Sequence, residues 1–174
     1  MLAAPARLGG VRLVAVDGPS GAGKSTLAGQ LCTTLRATGG TVELVPTDHF
    51  ATWRDPVSWW PRLVDGVLEP LRRGHSGRYR RMDWTGGTPR LGDWVDVPVP
   101  EVLLVEGVSA GRRSIRAALS WLVWVTGPDR EQRLANSVGR DGAGSRAELR
   151  AWQDFESGWF AVDGTREAAD QVVD

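Results

Sequence analysis

Eight residues, Gly18-Pro19-Ser20-Gly21-Ala22-Gly23-Lys24-Ser25, close a run of small side chains with a lysine and a hydroxyl. The spacing is G-x-x-x-x-G-K-[ST], in which glycines let the main chain wrap closely around an anion. Backbone N–H groups of such a loop, with the positive end of a following helix, cradle phosphate oxygens. Gly18, Ser20, Gly21, Ala22, Gly23 and Thr26 are the candidate cradle. Lys24 adds a mobile charge suited to the β and γ phosphates, and the Ser25 hydroxyl suits Mg²⁺. Lys24 is the only lysine; every other one of the 21 Lys+Arg residues is arginine.

Other residues offer the remaining parts of a phosphoryl-transfer site. Glu106 closes the apolar stretch Val102-Leu103-Leu104-Val105 and is placed to hold a Mg²⁺-bound water. Asp48 follows the apolar segment 41–46 and is the candidate base for an attacking hydroxyl; a turn or helix-cap aspartate is the other reading. Arg130 and Arg133 are three apart and share a helix face. With Arg140 they could clamp phosphate oxygens from a mobile lid over about 128–146. His49 and His75 stand alone, in no zinc-binding spacing. The lone Cys32 excludes an internal disulfide and reads as a small buried thiol.

These groups need a scaffold, and the hydrophobic pattern supplies one. Residues 11–17, 41–46, 101–105, 121–126 and 169–173 read as strands, the first and third as unbroken apolar runs covered on both faces. Helices are expected at 23–37, stopped by Gly39-Gly40, and at 56–73, where Pro61 and Gly66 divide it. Further helices are expected at 111–119, 128–138 and 145–158. Residues 74–100 alternate about Gly86-Gly87 and predict a hairpin insertion. Strands alternating with helices imply a parallel α/β sheet of about five strands with helices on both faces. In such sheets ligands bind at the carboxyl ends of the strands, which is where the phosphate loop, Asp48 and Glu106 fall.

The bulk numbers restrict the class. The 174 residues suffice for one domain, 1–174, with an acceptor-binding insertion at about 48–100. Net charge is zero, so no basic field gathers nucleic acid. No apolar stretch approaches a membrane span. Met1 to Gly10 holds no apolar run of signal-peptide length, and the lone Cys32, unable to form an internal disulfide, makes a reducing cytoplasm the expected compartment. The nine tryptophans read as core or pocket material.

The order of motifs resembles the uridine kinase family of P-loop kinases. It is carried by residues 18–25, Asp48-His49-Phe50, Tyr79 to Trp84, Val105-Glu106-Gly107 and Arg140-Asp141. The resemblance implies the three-layer P-loop NTPase fold, ATP with Mg²⁺, and γ-phosphate transfer to the 5′-hydroxyl of uridine or cytidine. It implies Asp48 as catalytic base, with Lys24, Arg133 and Arg140 in the transfer step. It also implies acceptor contacts from Phe50, Asp55, Tyr79 and Asp83, and metal contacts from Ser25 and Glu106. The chain departs from the pattern at Ala51, at Trp59-Trp60 and at Arg80-Arg81. Those departures leave phosphate chemistry intact and the acceptor open: a nucleoside, a nucleoside monophosphate or another small metabolite. A non-catalytic ATP-binding regulatory module is the remaining alternative.

Replacing Lys24 with alanine is expected to weaken ATP binding and to depress turnover, because charge stabilisation of the transferring phosphate is lost. Titration with ATP and a steady-state assay check it; wild-type values for both would remove the loop from consideration.

Overall fold

Period-two burial fixes the layering of the protein, whose computed structural model describes residues 2–174. Along β1 (Arg12–Asp17), Leu13 and Ala15 enter one core while Val14 and Val16 enter the other. Along β5 (Val102–Glu106), Leu103 and Val105 part from Val102 and Leu104 in the same way. A strand with apolar side chains on both faces must be covered on both. With β2 (Val42–Pro46), β6 (Leu119–Val125) and β7 (Gln171–Val173) these strands make a five-stranded sheet in the order β2-β5-β1-β6-β7. Every pairing in it is parallel.

α1 (Lys24–Ala37) covers one face with Ala28, Cys32 and Leu35. It ends at Gly39-Gly40, as its sequence predicts, with Gly39 at a φ of 87°. The opposite face is covered by a broken helix: α2 (Trp60–Leu63), a π-helical turn (Val64–Leu68) and α3 (Glu69–Arg72). The helix thus starts at Trp60 rather than at Pro56, with Pro61 in its first turn. Pro70 has no N–H for the carbonyl of Gly66, and its ring would press on that carbonyl, so the ladder opens upstream of it. The break also serves packing, since Gly66 and Gly77 lie backbone to backbone. A Cβ on Gly77 would sit 2.7 Å from the Gly66 carbonyl oxygen, and one on Gly66 would sit 2.7 Å from that of Arg78.

Gly77 opens β3 (Gly77–Asp83), which pairs antiparallel with β4 (Arg90–Val97) in a two-stranded ribbon turned at Gly86-Gly87. This is the expected hairpin insertion. The segment expected as a helix at 111–119 is instead a 3-10 turn, Arg113–Ala118. Side chains anchor that stretch from outside: the Arg113 N–H donates to Asp163 Oδ1 at 2.9 Å, and Arg116 bonds Gly111 O and Asp163. α4 (Arg130–Asp141) and α5 (Arg146–Asp163) follow β6. Among the described residues no helix is long and apolar enough to cross a membrane.

Gly77→Ala is expected to destabilise the protein by about 1–3 kcal/mol, the usual cost of forcing atoms into a filled contact. Urea unfolding monitored by circular dichroism reads the loss; an unchanged midpoint would show that helix and ribbon can separate freely.

Candidate active site

Parallel register brings three strand ends level. Glu106 lies opposite Val16 of β1 and opposite Pro46 of β2. The chain therefore leaves the sheet at one edge as the phosphate loop, as the Asp48 turn and as the loop after Glu106. One cavity of about 900 Å³ runs along that edge. Its phosphate-loop wall holds Ser20, Gly21, Gly23, Lys24, Ser25 and Thr26; Asp48, Glu106 and Arg140 line it too.

The loop itself is shaped for an anion. α1 begins with no side-chain cap and no acidic residue in its first turn. Its first N–H groups and the positive end of its dipole are thereby left for a ligand. Gly21, at a φ of 74°, lets α4 press on the loop: a Cβ there would lie 2.2 Å from the Arg133 carbonyl oxygen. Asn136 of α4 donates from Nδ2 to the Gly21 carbonyl at 3.1 Å. Lys24 is nearly buried, and its Nζ donates to Pro19 O at 2.8 Å.

Ser25 Oγ donates to Glu106 Oε1 at 3.1 Å, so the two candidate metal contacts are adjacent. Among the described residues no three His, Cys, Asp or Glu side chains cluster as a metal site. A hydroxyl and one carboxylate fit Mg²⁺ well, because that ion takes the rest of its octahedron from substrate phosphates and water. Burial pushes the Glu106 carboxyl up from its usual range; the neighbouring Asp48 adds to this, while Lys24, the Ser25 hydroxyl and Arg140 pull it back. Arg140 is held by Asp141 through two hydrogen bonds of 2.6 and 2.8 Å.

Behind this edge lies Asp17, fully buried at the end of β1. It accepts N–H bonds from Gly18 at 2.7 Å, Ser109 at 3.1 Å and Gly111 at 2.8 Å. It thus ties the start of the phosphate loop to the loop that follows Glu106. Ser109 pays for that tie with a φ of 73°, an unfavourable region for a residue with a Cβ, and its Oγ is held by Trp60 Nε1 at 3.0 Å. Burial pushes the Asp17 carboxyl up to about 7, against the three N–H donors and the charge of Lys24.

No protein-family model and no curated protein sequence matches the chain. Solved structures do. A possible uridine kinase from Bacillus stearothermophilus is similar at a TM-score of 0.65 and 21% identity, over 94% of this chain and 89% of that one. A protein from Silicibacter, provisionally named a fructose transport system kinase, is similar at a TM-score of 0.56 and 22% identity, over 94% and 90%. The chain shares the three-layer α/β P-loop fold of these structures.

Within that fold the expected site residues divide. Ser20, Gly21, Gly23, Lys24, Ser25, Thr26, Asp48, Glu106 and Arg140 share the cavity. Gly18 and Ala22 belong to the same P-loop but pack away from the cavity, Gly18 against the Val125 carbonyl and Ala22 against Gly127. Arg133 turns aside, its Nη1 donating to Pro128 O at 2.8 Å.

The four remaining acceptor candidates lie elsewhere. Phe50 is 1% exposed, stacked against Trp59 at 5.1 Å and Tyr79 at 4.6 Å. Asp48 sits in a 3-10 turn (Thr47–His49), and two residues on, at three per turn, the chain points into the core instead of the cavity. Tyr79 faces that same core from β3, with its hydroxyl 2.8 Å from His49 Nδ1. Burial lowers the His49 pKa and raises that of Tyr79 to about 12, so the pair is neutral. Asp55 Oδ1 caps the Ser58 N–H at 2.7 Å, and Asp83 Oδ1 accepts from Thr85 N at 2.9 Å. Both are turn aspartates.

Their place in the cavity is taken by Trp53, Trp84 and Trp152. Trp53 meets Trp84 edge to face at 4.9 Å and Trp152 at 6.1 Å. Trp84 Nε1 donates to Asp48 O and Trp53 Nε1 to Gly87 O, each at 3.0 Å, which folds the ribbon tip over the Asp48 turn. None of the three is among the residues the sequence marks for the acceptor: Trp84 ends the Tyr79 to Trp84 motif, Trp53 lies between Asp48 and Asp55, and Trp152 sits on a helix far along the chain.

A raised folded pKa means that Asp17 binds its proton more tightly when folded. Its contribution to stability grows as the pH falls through about 7 toward its usual value of 3.8. The melting temperature of the wild type relative to Asp17→Asn is therefore expected to climb as the pH is lowered from about 8 to about 5. Parallel melting profiles across that range would show that Asp17 does not titrate there.

Proposed function

We propose that the protein is an ATP-dependent, Mg²⁺-requiring phosphotransferase that moves the γ-phosphate of ATP to a hydroxyl of a small uncharged acceptor. The observation that supports it best is the single cavity shared by the P-loop, the Ser25–Glu106 pair, Arg140 and the carboxylate of Asp48. ATP would supply the phosphoryl group, and Mg²⁺ would neutralise charge between its phosphates. In this reading the P-loop amides and Lys24 hold the triphosphate, and Ser25 and Glu106 hold the ion. Asp48 accepts the hydroxyl proton as the acceptor oxygen attacks. Arg140, with Arg133 swung inward, draws off charge developing on the transferred group. The segment 128–146 serves as a lid that excludes water and so favours the alcohol over hydrolysis.

The acceptor half of the cavity argues for its chemical class. Its wall is made of Trp53, Trp84, Trp152, Leu149 and the Gly86-Gly87 tip, with Asp48 at one end. Flat aromatic faces suit a planar ring, which favours a nucleoside such as uridine or cytidine with its 5′-hydroxyl toward Asp48. A phosphorylated acceptor finds no support there. Among the described residues the lining cations are Lys24 and Arg140, both on the phosphate side, and Arg140 is paired with Asp141. Arg80 and Arg81, the cations by which the chain departs from the family pattern, bind Gly92 O, Leu91 O and Asp93 on the outer ribbon. A purely regulatory ATP-binding module would have no use for a free carboxylate facing an aromatic pocket. The lone, buried Cys32 suits a reaction in a reducing cytoplasm.

Screening nucleosides, nucleoside monophosphates, sugars and simple alcohols for acceptor-dependent ADP release tests the reading. With the acceptor in hand, Asp48→Asn is expected to retain ATP binding and to lower kcat by about 10²- to 10⁴-fold, the range for a lost general base. Trp152→Ala is expected to raise the acceptor KM by about tenfold, as one lost stacking contact would, and to leave the ATP KM nearly unchanged. Wild-type kcat in Asp48→Asn would refute the assignment.

A further inference from the structure

Glu156 of α5 is 2% exposed, and the P-loop it touches lies far from it in sequence. Its Oε2 accepts from the Ser20 backbone N–H at 2.9 Å and from Ser20 Oγ at 2.7 Å. Its other oxygen, Oε1, makes no hydrogen bond within the described protein, and neither does the buried Nε of Arg133. The charges of Lys24 and Arg133 both reach the carboxylate. Bonds from a neutral donor to a buried carboxylate are the strong kind, and a buried carboxylate without partners is costly to keep. A residue of this kind at the base of an anion site calls for a reason.

The P-loop supplies it. Among the described residues, no protein group accepts from the N–H of Gly21, Gly23, Lys24 or Ser25, whereas Ser20 N–H is fully engaged by Glu156. We propose that Glu156 is a positioning residue for nucleotide binding. It pins the first half of the P-loop through Ser20 and so presets the amides from Gly21 onward for phosphate. A preset cradle binds more tightly because the ordering cost is met before the ligand arrives. The same carboxylate feels the charges of both Lys24 and Arg133, so it offsets part of the positive field of the loop until phosphate takes over that role. It also joins α5 to the P-loop directly, while α4 is joined through Asn136. The inference rests on the nucleotide-binding half of the function proposed above.

The test compares Mg·ATP affinity by calorimetry and amide exchange of residues 18–25 in nucleotide-free protein. The variants are Glu156→Ala, Glu156→Gln and Ser20→Ala. Glutamine keeps an oxygen that can take both Ser20 donors. Glu156→Ala is expected to weaken ATP by about tenfold or more and to speed exchange in the loop, whereas Glu156→Gln loses about threefold or less. Ser20→Ala, which removes one of the two bonds, falls between them, and the acceptor KM stays put in all three. Equal ATP affinity in Ser20→Ala and wild type overturns the proposal, and this variant decides the matter if Glu156→Ala does not fold. Equal losses in Glu156→Ala and Glu156→Gln also overturn it. Failure of the kinase reading looks different: wild type would then transfer phosphate to no acceptor, whatever the ATP affinities of the variants.

Discussion

Everything at the candidate site depends on parallel pairing that sets Val16, Pro46 and Glu106 at one level. A parallel ladder has a direction, so all its strands deliver their following loops to the same edge. Three segments far apart in sequence therefore meet without any contact having been arranged between them pair by pair. Asp17 then converts proximity into fixed geometry. By accepting N–H bonds from Gly18, Ser109 and Gly111, it locks the P-loop to the segment that carries Glu106. The cost is a buried carboxyl and a strained Ser109, both placed where two loops must not drift apart.

The division between what was legible in the sequence and what was not follows from range. Unbroken apolar runs mark strands that are buried on both faces, and each of the five sheet strands has such a run or an apolar end. The glycine loop, with a strand before and a helix after, is a local pattern, and Lys24, Ser25, Asp48 and Glu106 are each read from their own neighbours. Side-chain direction is a different matter. Phe50 and Tyr79 lie on the right turn and the right strand, yet they point into the core because the 3-10 turn and the strand alternation rotate them there. The expected helix at 111–119 follows from local pattern, whereas the shape of that stretch is set by Asp163, fifty residues away in sequence. Glu156 left no trace at all, since an acid on an amphipathic helix looks the same whether it meets water or a P-loop amide.

Charge is distributed unevenly over the cavity, and the asymmetry fits a transfer between unlike partners. Lys24, Arg140 and the N-terminus of α1 gather on one side, where a polyanion would be held. The other side is aromatic, with Asp48 at the boundary. In the proposed reaction, a nucleophilic oxygen approaching from there leaves its proton on that carboxylate and meets a phosphoryl group whose charge is already neutralised.

The backbone contact between Gly66 and Gly77 has a mechanical consequence. It seats the root of the two-stranded ribbon on the broken helix, and Arg62 of that helix ties the middle of the ribbon by donating to Arg80 O at 2.8 Å. The far end is held by two indole N–H bonds, Trp84 to Asp48 O and Trp53 to Gly87 O. The aromatic wall beside Asp48 is thereby braced from two directions, by main chain packed on main chain at its root and by indole N–H groups at its tip.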